Sequence, residues 1–176
     1  MHNQHQLAVW QQQRGIARYI LLGTVITTVI DILLLFTQTD FYIPYCAFVP
    51  YFLTGLGFMF DGLQVSTLTF TGAFLAFFCL SGYLLVWWFA KKYNGWLLTG
   101  LILVCVDTLV MVLTALCILH NTGDFILDIL LHLAVIYELA VGLYAGIQLK
   151  KAESVPPSAP WDDQETTAES EYSEML

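Results

Sequence analysis

The chain has 176 residues, of which 58% are apolar and only 11% charged, with a mean hydropathy of +0.71. Soluble domains carry about a quarter charged residues, so a water-soluble fold is excluded and an all-α polytopic membrane bundle is expected. The net charge of -8, with only six Lys and Arg, also disfavours nucleic-acid binding.

The first 15 residues hold His2, His5 and several glutamines around Trp10. Two histidines with no carboxylate or thiol beside them make a weak metal site, so an interfacial lead-in to the first span is expected. Ile16 to Phe36 is the first apolar stretch, reaching the roughly 20 residues needed to cross a hydrocarbon core. It ends in Phe36-Thr37-Gln38-Thr39 without a small-residue cleavage site, which predicts a retained signal anchor.

Residues 41–62 carry Pro44, Pro50, Gly55, Gly57 and Gly62 among eight aromatic residues. An unbroken straight helix is not expected there. Two readings fit: a re-entrant lid, whose irregular backbone must be buried in protein or line a cavity, or a surface helix in the interface.

Three further stretches complete a predicted four-helix bundle over 16–149, with spans near 16–36, 66–90, 96–119 and 125–149. The six basic residues form three pairs, Arg14 with Arg18, Lys91 with Lys92, and Lys150 with Lys151. Four spans place all six on one side, which the positive-inside rule makes cytoplasmic, and both termini with it. Counting Tyr42 to Phe60 as a fifth span strands two of them outside. Trp87, Trp88 and Trp96 flank the Lys91 turn as rings at a headgroup boundary do. The plasma (inner) membrane is the expected location.

Beyond residue 152 the composition changes to prolines and seven acidic residues, counted from Glu153, with no basic one. Such a segment buries too little apolar surface to fold, so 152–176 is predicted to be a disordered acidic cytoplasmic tail. Of the four cysteines, a bridge between Cys46 and Cys117 is geometrically conceivable, but free thiols used as small packing residues are the plainer reading.

Ionisable groups at membrane depth are costly and count as functional candidates by default. Five occur: Asp31, Asp107, Asp128, His132 and Glu138. At about 1.5 Å per residue, Asp31, Asp128 and His132 form an outer tier, with Asp128 and His132 one turn apart on one face. Folding the hairpin about Thr122 sets Asp107 level with Glu138 as a central tier. Small and hydroxylated residues share the stripes that carry these acids: Thr24, Thr27 and Thr28 with Asp31, Gly100 and Thr114 with Asp107, Gly142 and Gly146 below Glu138. Such stripes mark helix interfaces in lipid, so the acids are expected to point inward.

Two functions fit the pattern. One is an ion-linked membrane protein with a proton or cation site; no cofactor is required, and if a divalent cation binds, Asp31, Asp128 and His132 are its ligands, suiting manganese or zinc. The other is an accessory or scaffold subunit, in a homo-oligomer or larger complex, whose buried acids are protonated groups that bridge helices. An intramembrane hydrolase ranks last, since no G-x-S-x-G or H-E-x-x-H pattern is present.

Overall fold

The structure, a computed structural model, describes residues 4–37, 39, 41–61, 66–119 and 125–154. The 120–124 turn and nearly all of the predicted tail lie outside them. Among the described residues there are five α-helices and no strand.

Helix α1 spans Gln4–Phe36, α2 Phe48–Asp61, α3 Ser66–Phe89, α4 Gly95–Thr114 and α5 Ile126–Glu153. A π-helical turn, Ala115–Leu119, continues α4. Four stretches, Gln4–Phe36, Thr67–Phe89, Gly95–Cys117 and Ile126–Glu153, are long and apolar enough to cross a membrane. The short apolar helix at Phe48–Met59 is not. Long apolar helices stand where the spans are expected, with extended ends. The residues expected as a lead-in continue α1 by three turns, their Gln, Leu and Ala being good helix formers. Helix α5 runs on through Lys150 and Lys151, cations that suit the negative end of its dipole.

All six basic residues fall at one end of the bundle. Arg14 of α1 donates to the carbonyls of Ala90 and Lys91 at 3.2 Å each, closing the carboxyl end of α3. Arg18 lines a cleft with Lys91 and Lys92, and Arg14 lines another with Lys150. Asn94 of the α3–α4 turn donates its side-chain amide to Gly146 of α5.

The opposite end shows what residues 41–61 do. The chain leaves α1 at Phe36, descends inside the bundle until the Tyr45 hydroxyl meets Ile20 O at 3.2 Å, then turns outward as α2. Near the end of α2, Phe58 returns to Phe36, their ring centroids 4.9 Å apart. The segment enters and leaves the bundle by the same end, and with respect to the bundle it is re-entrant. Pro50 sits in the first turn of α2, where its missing N–H costs nothing.

Helices α2 and α3 form a close antiparallel pair. A Cβ on Gly72 would stand 2.5 Å from Leu53 O, and one on Gly57 2.9 Å from Thr69 Cα, so two backbones touch where no side chain fits. Helices α1 and α5 meet in the same manner, a Cβ on Gly142 overlapping that of Ala17. Leu21, Val86, Leu97, Val104 and Leu139 fill the centre.

The polarity of the bundle is inverted. Phe74, Phe78, Leu109 and Leu133 face outward, while Thr28, Asp31, Asp107, Asp128 and His132 are buried. Soluble domains sort these residue types the other way. The four cysteines are free: Cys46 is buried and Cys79 half-buried, but Cys105 and Cys117 are exposed on the outward side of α4 and its π-turn.

Candidate functional site

The site is built around the non-helical backbone of residues 42–49, deep among the long helices. Backbone groups there are shielded by the helices, and each one left unpaired is costly. Polar residues of the long helices answer several of them.

The amino end of a helix presents four N–H groups without intrahelical partners. For α2 these belong to Ala47, Phe48, Val49 and Pro50. Ala47 N donates to Thr28 Oγ1 at 2.7 Å. Phe48 N and Val49 N donate to Asp107 Oδ2 and Oδ1, both at 2.8 Å. Pro50 has no N–H to satisfy. Ala47, which has no capping side chain, is thus replaced by Thr28 of α1 and Asp107 of α4. A carboxylate on a helix amino terminus also lies at the positive end of the dipole.

The descending limb is held in the same way. Ile43 N donates to Asp31 Oδ1 at 2.9 Å, and the Thr27 hydroxyl donates to Tyr45 O. The Tyr42 hydroxyl donates to Asp128 Oδ2 at 2.8 Å. Burial, with Cys46 and Asp128 adding to it, holds the Tyr42 phenol well above its usual range, so it remains a donor. Burial likewise pushes the Cys46 thiol well up, and the nearby Asp31 adds to this.

His132 completes the arrangement. Its Nδ1 lies 2.9 Å from Asp128 O and its Nε2 3.3 Å from Asp107 Oδ2. Around the ring stand Asp107 of α4, Asp128 of its own helix, Tyr83 of α3, and Tyr45 and Cys46 of the re-entrant limb. His132, Asp107, Tyr45, Cys46 and Tyr83 border a small cavity of about 10 Å³, the volume of roughly one water molecule.

Four of the five candidate residues, Asp31, Asp107, Asp128 and His132, therefore converge on one segment. Glu138 does not join them. It is half-buried, and among the described residues no hydrogen bond links it to Asp107. The expected level pairing of Asp107 with Glu138 gives way to Asp107 with His132, and the outer and central tiers merge. The register follows from two contacts, Asp107 to His132 and Asn94 to Gly146, which place the hairpin centre nearer residue 120 than 122. Symmetry about Thr122 requires equal advance along both arms; among the described residues a π-turn lies in the α4 arm and none in the α5 arm.

The chain matches no family model, no curated protein and no solved structure. Its function must be argued from the site itself.

Asp128 and His132 share a face as their spacing implied, and each has a hydrogen-bond partner in the bundle. The Asp128 carboxylate turns to Tyr42, and His132 bonds the Asp128 main chain. Among the described residues no three His, Cys, Asp or Glu side chains stand together as a metal would require. Tyr42 and Thr28 were not singled out in the sequence, although Thr28 shares a stripe with Asp31. Their signal was the irregular segment itself, whose prolines and glycines announced backbone groups needing partners.

Proposed function

We propose that the chain is a multi-pass integral membrane protein of the plasma membrane, with both termini cytoplasmic, whose outer re-entrant segment is held by a proton-dependent latch at His132 and Asp107. The inverted polarity and the four long apolar helices support membrane residence, and the six basic residues gathered at one end support the orientation.

One observation carries the latch: both nitrogens of His132 face oxygen acceptors. A neutral imidazole has one N–H and one lone pair, and the Asp128 carbonyl can only accept. Either the imidazole carries two protons, or Asp107 carries one and donates it to Nε2. The pair therefore binds one proton beyond a neutral imidazole facing a bare carboxylate. Removing it sets a lone pair against an oxygen and weakens the hold on Asp107, which in turn anchors Phe48 and Val49. Protonation thus couples to seating of α2. In this reading the site binds a proton rather than a divalent cation.

The test is thermal unfolding of the purified chain across pH, alone and with manganese or zinc. The wild type should lose stability as pH rises and the shared proton is released, and His132→Gln, whose amide does not titrate, should show a flatter profile. A profile identical in the two proteins would reject the latch. Saturable stabilisation by metal that His132→Gln abolishes would favour the cation reading instead.

A second reading, an accessory subunit, is supported by one feature. Phe70, Phe74, Phe77 and Phe78 form an exposed aromatic ridge on α3, a surface suited to a neighbouring helix or a second copy. Purification from native membranes with a stoichiometric companion bound to this ridge would support it.

A further inference from the structure

At the basic end of the bundle, between α1 and the α3–α4 turn, lies a cleft of about 790 Å³. Arg18, Tyr19, Trp87, Trp88, Lys91 and Lys92 border it, and among the described residues no acidic side chain lines it. Half of the chain's basic residues therefore stand around one opening.

Two donors beneath this wall have no partner. Arg18 Nε and Trp87 Nε1 are both closed off from solvent, and neither makes a hydrogen bond. Buried donors are almost always satisfied, and Arg14, one turn earlier on the same helix, shows the usual outcome by donating to two carbonyls. Arg18 is only half-buried as a residue and no acceptor among the described residues holds it, so the exposed part of its guanidinium can be oriented by a ligand. Three cations around one opening call for an anion rich in acceptor oxygens, a demand that a phosphate fits.

The rim of the cleft selects the source of that phosphate. Tyr19 and Trp88 are 70% and 67% exposed and stand beside the cations, as amphipathic rings do at a headgroup boundary. A ligand seated there has its charged group among Arg18, Lys91 and Lys92 and an apolar body along the outward faces of α1 and α3. We infer that this cleft binds the headgroup of an anionic phospholipid of the leaflet on that side. Basic pockets between helices on the cytoplasmic side are suited to such headgroups. The inference rests on membrane residence but not on the His132 latch.

The experiment titrates the purified full-length chain, in neutral detergent, with phosphatidylglycerol, with phosphatidylcholine of the same acyl chains, and with inorganic phosphate. Tryptophan emission and thermal unfolding report binding. Phosphatidylglycerol should act saturably, and at concentrations about tenfold lower than phosphatidylcholine, whose choline the three cations repel. Inorganic phosphate alone should not reproduce the effect. The triple variant Arg18→Gln, Lys91→Gln, Lys92→Gln should abolish the preference for the anionic lipid. Equal half-saturation by the two lipids, or undiminished phosphatidylglycerol binding in the triple variant, would overturn the site. Saturation by inorganic phosphate at the same concentrations would overturn the lipid assignment in favour of a free anion. Alkaline carbonate extraction of native membranes separates the two levels of inference: release without detergent fails the membrane reading itself, whereas a retained chain that does not distinguish the lipids fails the headgroup site alone.

Discussion

Asp107 Oδ2 lies 3.3 Å from His132 Nε2 while also accepting the N–H of Phe48, so one oxygen joins the imidazole of α5 to the first turn of α2. That shared oxygen makes Asp107 and Glu138, which the sequence places at one level, very different in their expected sensitivity.

Asp107→Asn should destabilise the protein by about 1–3 kcal/mol, because an amide can accept from only one of Phe48 N and Val49 N and turns an NH₂ toward the other. Glu138→Gln, at a half-buried position with no bond to this network, should be close to neutral. Thermal unfolding of both variants in detergent checks this, and equal effects would count against the anchoring role.

Thr28 Oγ1 accepts from Ala47 N and donates to Thr24 O at 2.6 Å. In Thr28→Val the shape is kept but a buried backbone donor loses its partner, at a cost of about 1–3 kcal/mol. Thr99→Val, at an exposed site whose hydroxyl bonds only its own helix at 3.3 Å, should change stability by less than about 0.5 kcal/mol. A larger loss at Thr99 than at Thr28 would mean that the re-entrant backbone is not what Thr28 supports.

Gly72→Ala places a methyl group 2.5 Å from the Leu53 carbonyl, whereas Gly82→Ala, on the same helix, meets nothing within 4 Å. The first should cost about 1–3 kcal/mol through overpacking; the second should be neutral or slightly stabilising, since Ala is the better helix former. Unfolding temperatures that move together would show that α2 does not press on α3 at this point.

Cys46 is buried beneath the re-entrant turn, and burial holds its thiol protonated well above the ordinary range. Alkylation requires the thiolate, so in the folded protein Cys46 should react far more slowly with a small maleimide than Cys105 or Cys117. Asp107→Asn should speed its labelling by releasing α2. Rapid modification of Cys46 in the wild type, identified by peptide mapping, would contradict the seated position of the segment.

In native membranes, cysteines placed at Lys91 and Ser154 should be labelled from one side and a cysteine at Phe41 from the other. The Arg14 bonds to Ala90 and Lys91, and the cleft shared by Arg14, Lys150 and Glu153, bring the first two positions to one end. Labelling of Lys91 and Phe41 from the same side would overturn the four-span orientation.

Helix number and approximate boundaries were legible in the sequence because an apolar run of membrane-spanning length has few alternatives, and the basic pairs predicted which connections share an end. The inward placement of Thr28, Asp31, Asp107 and Asp128 was legible too, since small and polar residues on one stripe of an apolar helix have nowhere else to go. Partner choice was not. The stripe on α4 says that Asp107 faces the interior, but the register between α4 and α5 decides whether His132 or Glu138 lies beside it. Nor could local pattern show that Asp107 and Thr28 would cap a helix beginning dozens of residues away in sequence, because a cap supplied across space leaves no mark at the helix start itself. Ala47 and Pro50 record only a lack of local capping. The tertiary structure supplied the answer by folding residues 42–49 back into the bundle, where the backbone donors of Ile43, Ala47, Phe48 and Val49 meet acceptors from α1 and α4.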